Sequence, residues 1–223
     1  MDSPNLVAFQ ISTSRMHTYQ TDKVRRHIGE ALVAFGLAVV AFNLLGWSFD
    51  LQPLVRFPDA AMVPSTAVSI ALLFIGSAAV FALPPKNNTA RICSLTAAVI
   101  AMVNIGLRLT ADLDLDYLIP NRTAGDRMSG GTILCIMVSA ATILALSSEK
   151  LRNFEFHLSG AIAGLQLIIA VFFLCRFVPG TPQAPLIFEA MSLYTAVCFL
   201  VLFIILFVAA VFLPLLQPED IEA

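Results

Sequence analysis

The chain alternates long apolar runs with short polar connectors. Six runs, about 28–47, 64–83, 92–109, 130–146, 156–177 and 189–213, approach or exceed the roughly 20 residues that cross a ~30 Å hydrocarbon layer. Runs of this length read as helices rather than strands. Thr21-Asp22 offers an N-cap ahead of the first run. Pro64 suits the first turn of the second, where its missing N–H costs nothing. Pro84-Pro85 stops that helix, and Pro214 ends the last. Residues 1–27 and 214–223 flank the 28–213 helical domain as polar segments.

The runs also repeat in pairs. Ala61-Met62-Val63-Pro64-Ser65-Thr66-Ala67 opens the second, Arg127-Met128-Ser129-Gly130-Gly131-Thr132 the fourth, and Ala190-Met191-Ser192-Leu193-Tyr194-Thr195-Ala196 the sixth. A Met is followed four residues later by a Thr each time, and the threonines stand 66 and 63 residues apart. Fixed spacing of this kind marks a repeated structural unit. The predicted fold is all-α and polytopic, with six transmembrane helices built as three helix hairpins over about 28–83, 92–146 and 156–213.

Composition and charge sharpen this picture. The chain of 223 residues is 58% hydrophobic and 13% charged, about half the usual share of charge. It reads as an integral membrane protein, with its first run a retained span rather than a signal peptide. A net charge of −2 gives no basic face for nucleic acid. With the N-terminus inside, inner segments hold Arg15, Lys23, Arg25, Arg26, Lys86, Arg91, Lys150 and Arg152. The outer side holds Arg56, Arg108, Arg122, Arg127 and Arg176. The excess of inner Lys and Arg predicts both termini inside.

Candidate chemistry is sparse. With the spans 2, 4 and 6 pointing their N-termini outward, Met62, Met128 and Met191 fall at an outer mouth, with Thr66, Thr132 and Thr195 one turn in. Ser69, Cys135 and Cys198 follow on the same helix faces, three residues on. These nine residues form the candidate ligand pocket, closed by soft methionine side chains. The competing reading is that Met fills packing gaps and Thr bonds to its own helix. Ala34 and Ala38, Ala97 and Ala101, and Gly160 and Gly164 are small pairs four residues apart, which suit helix contact.

Other chemistries find less support. Asp112-x-Asp114-x-Asp116 opens like a calcium loop, but Tyr117 replaces the required Gly and Thr123 the closing Glu. Its alternation with Leu113, Leu115 and Tyr117 suits a segment at the membrane surface. Cys93, Cys135, Cys175 and Cys198 form no Cys-x-x-Cys pair and read as small packing residues, so no metal is expected. Mid-span polarity is limited to groups such as Asn43 and Asn104, which argues against ion-coupled transport. No catalytic motif is present, so the expectation is a non-enzyme without cofactors.

Met62-x-Pro64-x-Thr66-Ala67 leading into an apolar helix resembles the multi-helix membrane input regions of bacterial sensor histidine kinases and diguanylate cyclases. The resemblance covers about residues 28–213; unit 2 has Gly130 for Pro and Ile133 for Ala, and unit 3 has Leu193 for Pro. It implies a sensory module in a bacterial inner membrane, although only about ten residues follow the last run and no output domain is encoded there. The leading expectation is detection of a membrane-soluble or outer-face ligand. The alternatives are an accessory subunit of a larger membrane complex and a small-solute transporter. Expected partners are the lipid bilayer and either further copies or other membrane subunits.

Overall fold

In a computed structural model the chain is described over residues 4–57, 60–82, 84–119, 122–123, 126–148, 165–166, 169 and 191–212, with side chains from residue 22 onward. These residues form helices and no strand; one isolated bridge joins Arg56 and Ala61. The fifth predicted run, with Gly160 and Gly164, lies almost wholly outside the described residues.

The first run is part of a much longer helix, α1, Pro4–Ser48. Its 45 residues extend about 68 Å at 1.5 Å per residue. Thr21 and Asp22 lie inside it, so the predicted N-cap is not a helix start. The reason is local: residues 5–28 contain neither Gly nor Pro, and nothing interrupts the helix once Pro4 has opened it. Its apolar part, Asp22–Ser48, is long enough to cross a membrane.

After α1 the chain turns at Asp50, which takes a left-handed φ of 53°. The single turn α2, Gln52–Val55, follows. Helix α3, Pro64–Phe81, begins with Pro64 in its first turn and ends at extended Ala82, before the two prolines. Helix α4, Asn87–Ala111, closes on Asp112 in the left-handed region, whose amide donates to the Leu107 carbonyl. Helix α5, Gly130–Leu146, and helix α6, Leu193–Phe212, complete the described elements. Four helices are long and apolar enough to cross a membrane, and the shorter α5 is apolar along its length. The chain is thus a helical membrane protein.

Helix α3 is the centre of the bundle. It packs against α1, α4, α5 and α6, and α5 also packs against α6, so α3, α5 and α6 touch in all three pairings. Phe74, Ile136, Ile143, Phe199, Phe203 and Leu206 fill the space between them. Helices α1 and α4 lie outside this trio and expose Phe35, Leu37, Phe42, Ile92, Leu95 and Val99. Large apolar side chains facing outward would be a liability in water and are what lipid requires. Polar groups turn inward instead. Ser69, Ser77 and Ser94 are buried and each donates to the carbonyl four residues back at 2.8 Å, so their hydroxyls are satisfied within their own helices.

Small residues set the helix contacts. Ala97 and Ala101 lie on the buried face of α4, in line with Ala90 and Ser94. On α1, however, Ala34 is exposed and Ala38 half-buried. The close approach is made by Gly36, where an added Cβ would stand 3.2 Å from the Ala71 carbonyl oxygen and 3.1 Å from the Phe74 Cβ. An Ala-rich helix carries several small-residue faces, and only the partner helix decides which is used.

Candidate functional site

The starts of α3, α5 and α6 lie at one end of the bundle, where α1 and α4 finish. All nine residues of the predicted pocket are buried there or one turn deeper: Met62, Thr66, Ser69, Met128, Thr132, Cys135, Met191, Thr195 and Cys198. Two of the threonines are engaged locally. Ser129 caps α5 by accepting from the Thr132 amide at 3.1 Å, and the two hydroxyls lie 2.9 Å apart. Ser192 does the same for α6, with the Thr195 amide at 3.2 Å and the hydroxyls again 2.9 Å apart. This is the N-cap bond expected of serine.

Helix α3 departs from this pattern. Its N-cap is Val63, which offers no side-chain acceptor. The acceptor comes from the connector after α4: Asp116 takes the Ser65 amide on Oδ1 at 2.9 Å and the Ser65 hydroxyl on Oδ2 at 2.5 Å. A carboxylate at a helix start is favoured by the free amides and the dipole. Burial pushes the Asp116 carboxyl above its ordinary range, and the bonds from Ser65 oppose that rise.

A second device holds the methionine backbones. Near the end of α1, Asn43 Nδ2 and Trp47 Nε1 both donate to the Met62 carbonyl, at 2.6 and 3.0 Å. Near the end of α4, Arg108 donates to the Met128 carbonyl at 3.0 Å. Trp47 and Arg108 each follow an Asn by four residues, on the same helix face. Asn104 links two elements, donating to the Ser65 hydroxyl at 3.5 Å and accepting from the Leu115 amide at 3.2 Å.

The aspartate run is the part that sequence reasoning underrated. Asp114 and Asp116 point inward and are buried, whereas Leu115, Tyr117 and Leu118 are exposed at 46%, 61% and 89%. Arg122 pairs with Asp114 through both of its terminal nitrogens, and its Nε donates to the Asp126 carbonyl oxygen at 2.6 Å. Asp126 in turn accepts from Arg56 at 2.5 Å and from the amide and hydroxyl of Thr123 at 2.8 Å. Arg122 occupies both carboxylate oxygens of Asp114, whereas Arg56 and Thr123 share Oδ2 of Asp126, whose Oδ1 is buried without a hydrogen-bond partner. Among the described residues no three His, Cys, Asp or Glu side chains gather around a metal position. The alternation in the sequence was a partial signal: it holds over Asp114–Tyr117, where the chain forms a turn, but not at Asp112, which is exposed.

The first connector also grips α6. The Leu193 amide donates to the Phe57 carbonyl at 3.0 Å, and the Tyr194 hydroxyl donates to the Pro53 carbonyl at 2.5 Å. The Phe57 and Tyr194 rings lie 6.3 Å apart between centroids. Deeper in the bundle, Gln166 is a further polar residue missed in the sequence; it is fully buried and donates to the Thr142 hydroxyl at 2.7 Å. Cys175 and Arg176 lie outside the described residues. No protein-family model, curated protein or solved structure matches this chain.

Proposed function

We propose that the chain is a non-enzymatic sensory module of a bacterial inner membrane, built as six spanning helices in three repeated hairpins with both termini inside. Its connector end faces outward. A membrane-soluble or outer-face stimulus acts there, and the change passes along α6 toward the inner side. The observation that carries this reading is the double attachment of the α6 start to the first connector, through Leu193 to Phe57 and Tyr194 to Pro53. A displacement of that connector therefore pulls on the last described helix, which suits a helix shift between two packed arrangements. The serine caps at Ser129 and Ser192, and the carbonyl contacts at Met62 and Met128, support a repeated unit. The likeness of Met62-x-Pro64-x-Thr66-Ala67 to the input regions of sensor kinases and cyclases points the same way.

The test places a cytoplasmic reporter kinase after residue 223 and measures its output. Removing one hydrogen bond of ~1 kcal/mol moves a two-state equilibrium about fivefold, so Tyr194→Phe is expected to change basal output by about that factor. Thr66→Val, Thr132→Val and Thr195→Val are expected to alter the response further. Wild-type output from all four variants would sink the sensory reading.

One observation favours the second reading, an accessory membrane subunit. Ala31, Ala34, Ala38 and Ala41 recur on one face of α1, where all are exposed or half-exposed, and such a face allows another helix to approach. Stoichiometric co-purification with a membrane partner that Ala34→Leu abolishes would support it. A monodisperse protein without a partner would exclude it.

A further inference from the structure

We propose that the stimulus is the proton, and that Asp116 is where it acts: uptake of a proton from the outer aqueous phase by its carboxylate releases the start of α3 from the connector that follows α4. The inference rests on the sensory reading above and names its stimulus.

The geometry makes Asp116 the weak point of the outer end. Helices α5 and α6 carry their own serine caps, which no change of pH within the physiological range removes. Helix α3 instead depends on an ionisable group borrowed from another segment. Both carboxylate oxygens are in use, one for the Ser65 amide and one for its hydroxyl. An ionised carboxylate only accepts, whereas the neutral acid turns one oxygen into a donor. The two Ser65 donors can then no longer both be held as they are.

The surroundings favour a proton arriving under mild acidity. Asp116 is 4% exposed. From its own connector it is faced by Asp114, which repels its charge, and by Arg122, which attracts it but is bonded to Asp114. From α4 it is faced by neutral Asn104 through Ser65, and from α3 by Ser65 itself. Asp126 and Arg56 lie one step further out and pair with each other. Burial is the largest influence and raises the carboxyl, as the buried setting requires.

The sign of the linkage matters. A group whose folded pKa is raised favours the folded state fully below its unfolded pKa, and that advantage is lost as pH rises through the folded value. Acidification through this window therefore relieves the burial of a charge and does not, through Asp116, unfold the protein. The outcome is a rearrangement within a folded bundle. From Ser65 the change reaches Met62 and the first connector, and so the start of α6.

The protein carries its own probe. Trp47 is its sole tryptophan, and its indole N–H is bonded to the Met62 carbonyl at the α3 start. The full chain in phosphatidylcholine nanodiscs is titrated from about pH 8 to about pH 4, a range spanning ordinary and raised carboxyl values, while Trp47 emission and helical circular dichroism are recorded. The expected result is one emission transition with its midpoint above the ordinary carboxyl range and with helicity unchanged. Asp116→Asn abolishes it, and Asp112→Asn, at an exposed carboxyl, leaves it in place. No transition in the wild type, or a transition that survives in Asp116→Asn, overturns the proposal. Should Asp116→Asn fail to fold, Ser65→Ala removes a bond to the ionised form and moves the midpoint upward; a midpoint that stays or falls overturns it equally. The readout needs no reporter kinase. Its failure removes the proton as stimulus and leaves the Tyr194→Phe test of signalling standing.

Discussion

At the residue scale, the connector end of the bundle is held by a few buried polar groups, each with a defined partner. The pair of Arg122 and Asp114 is the most enclosed of the ion pairs among the described residues, with side chains 10% and 3% exposed. Breaking such a pair from one side leaves a buried charge alone, at a cost of about 3–5 kcal/mol, whereas replacing both partners with apolar residues is often near neutral. Arg122→Met is therefore expected to lower unfolding stability by that order, and the double change Arg122→Met/Asp114→Leu to recover most of it. Denaturant titration in mixed micelles measures both. Equal losses in the single and double variants would mean the pair is not the source of the effect. Ser129→Ala gives a smaller expectation, about 1 kcal/mol for a lost N-cap, read in the same titration.

At the element scale, α1 and α3 depend on close backbone approach. Gly36 admits α3 because it has no side chain, and a larger residue there must push the helices apart. Overpacking of this kind costs about 1–3 kcal/mol, so Gly36→Leu is expected to destabilise the bundle, while Ala34→Leu on the exposed face changes stability little. A comparison of their midpoints of thermal unfolding checks which face is used. The same helix shows where local signals mislead. Thr21-Asp22 is a sound N-cap pattern, but Asp is also tolerated inside a helix that nothing interrupts. Helix α5 shows the reverse, since its bounds, 130–146, coincide with the apolar run. There Ser129 and the Gly130-Gly131 pair mark a real start, because the connector before it leaves no helix to continue.

At the scale of the whole molecule, the connector end works as one network. It runs from Asn104 and Ser65 through Asp116 and Asp114 to Arg122, Asp126 and Arg56, and the first connector then joins it to Leu193 and Tyr194. It predicts that Arg56→Ala, far from α6 in sequence, weakens the same coupling as Tyr194→Phe. Measured as reporter output, the double variant is expected to fall short of the product of the two single effects, since both cut one path. Independent, multiplying effects would show that the connector does not join them.

The sequence by itself determined the helical membrane class, the start of α3, the bounds of α5, and the positions of the Met and Thr residues at helix starts. Those follow from run length, from proline, and from spacing, all of which act locally. Only the tertiary structure decided that Gly36 rather than Ala34 meets α3, that Asp114 and Asp116 turn inward, and that Asp116 caps a helix 51 residues away in sequence. The reason is physical. A buried carboxylate is stable only where other segments supply its donors, and those donors come together only when the helices are packed.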